Sequence, residues 1–83
     1  MTLQIPAGAS TPAEVVAAEV RAGMARKRLT QVVLAERAGM ATSTLSRRLT
    51  GESDFTVGEL YRIADVLGVP AAALLANVEK ASA

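Results

Sequence analysis

"LTQVVLAERAGMATSTLSRRLTG", Leu29 to Gly51, is the stretch on which the fold turns. Thr30 can cap a helix from Gln31 to Ala38 that Gly39 stops, and a second helix runs from about Thr42 to Thr50, where Gly51 stops it in turn. Two short helices therefore surround a turn of about three residues. Drawn at about 100° per residue, the second puts Leu45 and Leu49 on one side, with Ser43, Ser46, Arg47 and Thr50 on the other. That outer face is polar without any acid, and Thr44 and Arg48 lie on its flank. In the first helix Leu34, Ala35 and Ala38 form the inward stripe, and the alanines are small enough for the second helix to cross at close range, as a helix-turn-helix pair demands.

Outward from this pair, helix ends are written in cap residues. Thr11-Pro12-Ala13-Glu14 is a capping box with proline at the first helical position, so a helix is expected from about Pro12 to Lys27. Thr56-Val57-Gly58-Glu59 is another, opening a helix that ends at Gly68, and Pro70 opens a short fifth helix to about Asn77. Val16, Val20 and Met24 recur along one side of the first helix, and Leu60, Ile63, Ala64 and Leu67 along the fourth, which marks them as core. The chain of 83 residues has room for one small domain, all-α and compact, with five helices over residues 11–79, an irregular arm at 1–10 and a tail at 80–83. No strand pattern is found.

Charge is polarised in a way the net value of +1 conceals. From Arg21 to Gly51 there are seven basic residues against the single acid Glu36, while the other segments carry Arg62 and Lys80 against seven acids. A basic half containing a projecting helix is the electrostatic footprint of a nucleic-acid binder. Without cysteine or histidine the usual zinc sets are absent, and no P-loop or paired carboxylates on an evident cleft supply catalytic machinery. The expectation is a protein that is not an enzyme, with no cofactor, no metal and no small-molecule effector. No stretch approaches the ~18 apolar residues of a membrane span, so no membrane partner is expected, and the absence of cysteine fits an intracellular, reducing compartment such as the cytoplasm.

Leu29 to Gly51 resembles the Cro/CI-type helix-turn-helix of phage repressors and related bacterial regulators, with Thr-Gln at the start of helix 2, Leu-Ala within it, Gly in the turn and Ser-Arg in helix 3. The likeness continues through "FTVGELYRIADVLGVPAAALL", which is similar to the family's fourth and fifth helices and carries the match from about Val16 to Leu75. The resemblance implies a lambda-repressor-like DNA-binding domain acting as a transcriptional regulator, a small repressor or Cro-like switch controlled by its own concentration. It implies a phosphate contact for Gln31 and positions facing base edges in the major groove for Thr42, Ser43, Ser46 and Arg47, with Thr42 alternatively serving only as the helix cap. Arg47 suits guanine, whose O6 and N7 a guanidinium bridges. On the flank, Thr44 and Arg48 are assigned to backbone oxygens, although a salt bridge from Arg48 to Glu52 fits as well. Arg26, Lys27 and Arg28 can grip phosphate or simply serve as cations at the end of a helix.

Two departures from the family pattern bear on this reading. The positions of a frequent Arg-Glu pair between helices 1 and 3 correspond to Met24 and Leu49, a replacement that packing can make neutral or stabilising. The loop Glu52-Ser53-Asp54 is acidic where related repressors often place basic residues, which weakens its case as a phosphate contact. Helix 5, with Ala71, Ala72, Ala73, Leu74, Leu75, Ala76 and Val78, has almost no polar face and points to a partner surface. The expected partners are a double-stranded DNA operator and a second copy of the chain through helix 5. The competing reading uses the same fold as a protein-interaction module, such as an antitoxin or a regulator that holds its partner with helix 5.

Overall fold

The computed structural model describes residues 11–82, with side chains to Val78. The expected N-terminal arm lies outside the described residues. Five helices follow in order: α1 (Pro12–Lys27), α2 (Gln31–Ala38), α3 (Thr42–Leu49), α4 (Val57–Leu67) and α5 (Ala71–Ser82), with no strand among the described residues. Both capping boxes form. The Thr11 hydroxyl accepts the Glu14 N–H at 3.1 Å while Glu14 accepts the Thr11 N–H at 2.8 Å, and Thr56 and Glu59 repeat the exchange at 3.1 and 2.9 Å. Each such cap adds about 0.5–2 kcal/mol to its helix. Gly39 and Gly68 close α2 and α4 in the left-handed conformation, at φ 69° and 72°.

Two helix ends differ from the sequence reading, the last turn of α3 and the end of α5. α3 begins at Thr42 as expected, and the alternative of Thr42 as its cap fails: Ala41 holds that position and offers no side-chain oxygen. The reason lies in the turn: the Met40 N–H returns to the Ala35 carbonyl, and the chain enters the next helix one residue later. Thr50 caps α3 from outside, its hydroxyl donating to the Arg47 carbonyl at 2.9 Å. Pro70 precedes α5, its carbonyl receiving the Ala73 N–H, and no glycine or proline follows to stop the helix at Asn77, so it continues to Ser82 through the expected tail.

Val20, Leu34, Leu45, Ile63 and Leu67 are the largest fully buried side chains, so the core lies where α1, α2, α3 and α4 meet. Ala35 and Ala38 are buried beneath α3, which rests on them through Leu45 and Leu49. Met24 and Leu49 both enter this core as apolar packing. Two glycines permit close approach to α1. A Cβ at Gly51, where φ is 81°, would stand 2.7 Å from the Glu14 Cγ; one at Gly23, inside α1, would stand 2.8 Å from a Leu67 methyl. α5 packs on α1 and α4, burying Leu74 but leaving Leu75 39% exposed. No single helix among the described residues is long and apolar enough to cross a membrane.

Candidate nucleic-acid interface

α3 spans only two turns, and its two buried leucines fix which face looks outward. Thr42, Ser43, Arg47 and Thr50 are exposed; Ser46 and Thr44 are half-buried at the two borders. At 100° per residue Arg47 stands opposite the midpoint between Leu45 and Leu49. Among the described residues nothing hydrogen-bonds or ion-pairs with its guanidinium, which leaves five donors presented to the outside. Because Ala41 provides no cap, the N–H groups of Thr42, Ser43 and Thr44 also have no acceptor among the described residues.

α2 begins differently. The Thr30 hydroxyl accepts the Val33 N–H at 3.2 Å, and Gln31 is exposed on the first turn. Immediately upstream, Arg26, Lys27 and Arg28 are exposed at the end of α1, so three cations and the start of α2 lie within a few residues of one another. Arg28 is the left-handed cap of α1 at φ 55°, a conformation usually left to glycine, and its N–H closes on the Ala25 and Met24 carbonyls.

Three other arginines, Arg48 and Arg21 of the basic half and Arg62 of α4, are engaged inside the fold. Arg48 turns toward α4: its Nε donates to Glu59 Oε1 at 3.0 Å, Nη2 to Glu59 Oε2 at 3.2 Å and Nη1 to the Ser53 hydroxyl at 2.7 Å. The salt bridge is therefore to Glu59 and not to Glu52. Glu52 instead stays exposed, its N–H tied to the Arg47 carbonyl. The hydrogen bond from Arg48 holds the Glu59 carboxyl below the usual glutamate range; burial opposes this, and the Thr56 N–H reinforces it. The same bond pushes the Arg48 guanidinium further up. Arg21 donates to the Leu49 carbonyl at the end of α3, and Arg62 to the Ala38 carbonyl at the end of α2, at 2.8 Å for the latter. Cations at helix C-termini satisfy orphan carbonyls and complement the helix dipole. Among the described residues no group of three or more carboxylates could hold a metal ion.

Sequence reasoning missed the roles of Glu59, Arg21 and Arg62 as ties. Glu59 was legible as a cap, but its second partner lies 11 residues upstream across a loop, and no helical period connects the two. Arg48 carried a partial signal: on the wheel it lies about 80° from the buried midline, where a long side chain can reach a neighbouring helix.

A short helix crossing another on small residues, with its polar face outward and unpaired, defines a helix-turn-helix DNA-binding module. Residues 20–74 match the HTH_3 helix-turn-helix family, and the chain belongs to it, among DNA-binding transcriptional regulators. The fold is similar to that of the clp gene regulator ClgR from C. glutamicum, with a TM-score of 0.78 and 24% identity over 89% of this chain and 96% of that one. It is also similar to the hypothetical transcription factor NHTF from Neisseria, with a TM-score of 0.75 and 22% identity over 90% of this chain and 85% of the other. No curated protein matches the chain.

Proposed function

We propose that the protein is a sequence-specific repressor or Cro-like switch that occupies a double-stranded operator by placing α3 in the major groove. The observation that carries this reading is the outward face of α3, with Arg47 unpaired and opposite the buried leucines. Arg47 reads guanine through two hydrogen bonds, a contact worth ~1–3 kcal/mol of discrimination. Thr42, Ser43 and Ser46 face the neighbouring base edges. Gln31, Thr44, Arg26, Lys27 and Arg28 hold phosphate oxygens, the first helped by the positive end of the α2 dipole. ClgR is described as a gene regulator, and the proposal gives this chain the same class of role.

Two copies join through the α5 region in this reading. Leu75 stands beside an apolar groove of about 240 Å³ whose walls include Pro12, Val16, Phe55 and Leu60, and burial of that surface favours association. A two-fold pair would present two copies of α3 about one DNA turn apart, ~34 Å, to a partly palindromic site.

The test is selection of bound duplexes from a random pool, followed by titration of the enriched sequence at increasing salt. An enriched motif with inverted symmetry is expected, and affinity should fall with a log–log slope of about −0.9 per phosphate contacted. A pool without enrichment, or binding indifferent to salt, refutes the proposal and favours a protein partner on α5.

A further inference from the structure

We propose that Arg48, with Glu59 and Ser53, is a positioning residue for DNA reading: the three form a clamp that fixes the roll of α3 about its own axis, and Arg48 is not itself a phosphate contact. The inference rests on the reading of α3 as the recognition element. α3 has eight residues and is anchored in the core by Leu45 and Leu49, which lie almost on one line along the axis. Such a line resists lifting the helix away but resists rolling it poorly. A roll of about 15° displaces a side-chain tip ~6 Å from the axis by ~1.6 Å. That is several times the width of the distance range a good hydrogen bond tolerates, so an unclamped α3 would lose register with the base edges.

Arg48 lies where a clamp is effective. It leaves the helix well away from the leucine line, and all three of its nitrogens are hydrogen-bonded, two to one carboxylate and one to the loop that follows α3. The carboxylate is itself immobilised, because Glu59 Oε1 also accepts the Thr56 N–H that starts α4. The Arg48 and Glu59 side chains are only 18% and 11% exposed. Turning Arg48 outward to a phosphate would strand the largely buried Glu59 charge, a costly exchange for one contact near a polyanion. Arg21 adds to the hold at the same C-terminal end of the helix, where it meets the Leu49 carbonyl.

The experiment uses the full chain with its enriched duplex and single-base variants of that duplex, each titrated over a range of salt. Arg48→Lys keeps the charge but loses the planar fork, and Glu59→Gln keeps the shape but loses the charge. Both are expected to lose about tenfold in discrimination between correct and altered bases, with the salt slope unchanged. Their combination is expected to cost no more than either alone. Thermal melts show whether each variant folds, and Glu59→Gln, nearly isosteric, keeps the test open should Arg48→Lys prove unstable. A phosphate role predicts the reverse: Arg48→Met would shrink the slope by about one contact and weaken all sequences alike, while Glu59→Gln would leave discrimination intact. That result, or full discrimination in both Arg48→Lys and Glu59→Gln, overturns the clamp alone. A wild-type chain without sequence preference overturns it together with the proposed function.

Discussion

The outer face of α3 and the flank it turns toward α4 each carry an arginine, adjacent in sequence, and the two have opposite fates. Arg47 points away from the core and has no hydrogen-bond or ion-pair partner among the described residues; Arg48, one residue and about 100° further on, is held by Glu59 and Ser53. A formal charge count treats them alike, and so overstates the number of cations free to contact a ligand. With Arg21, Arg48 and Arg62 bonded inside the fold, the cations of the proposed phosphate and base contacts that have no partner among the described residues are Arg26, Lys27, Arg28 and Arg47. In this small domain three of the seven arginines build the platform, and Arg47 is the one presented at its centre.

The largest expected effect tests the platform. Leu45→Ala removes a fully buried side chain under α3 and is expected to cost about 2–5 kcal/mol, lowering the melting temperature by about 10 °C or more and abolishing DNA binding with it. Arg47→Ala belongs to the other side of the comparison: a loss of ~1–3 kcal/mol in preference at one base pair with the melting temperature unchanged, checked by competition titration beside calorimetry. A fall in melting temperature there would erase the distinction between presented and structural arginines.

Acid probes the flank. The Glu59 carboxyl titrates lower in the folded chain than in the unfolded one, so its stabilisation is complete above the ordinary value of about 4.5 and is lost as the pH falls through the lowered folded value. Melting temperatures from pH 7 to pH 3 are therefore expected to fall more steeply for the wild type than for Glu59→Gln. The smallest effect sits at Arg28. Arg28→Gly relieves a left-handed backbone and is expected to raise stability by about 0.5–1 kcal/mol while weakening binding to every duplex about equally. Equal affinity in that variant would remove Arg28 from the phosphate grip.

Helix boundaries were legible because their causes are local. Thr11 with Glu14, Thr56 with Glu59, and the glycines at 39 and 68 satisfy backbone groups within a few residues, so sequence spacing alone locates them. Leu45 and Leu49 were legible by period, as was the polar face opposite. The start of α3 at Thr42 was legible too, but its cap was not: a threonine beside a turn also fits an N-cap, and only the return of the Met40 N–H to Ala35 gives that place to Ala41. The partner of Arg48 was illegible for a different reason: Glu52, Asp54 and Glu59 all lie within reach along the chain, and only the placement of α4 against α3 chooses among them.

Gly23 and Leu67 form a matched pair of sizes, an empty site on one helix filled by a methyl from another. Neither position can drift freely. Enlargement at 23 must be met by shrinkage at 67 if α1 and α4 are to keep their spacing, so a library randomised at both sites together should return compensated volumes, with large-large combinations missing from the survivors.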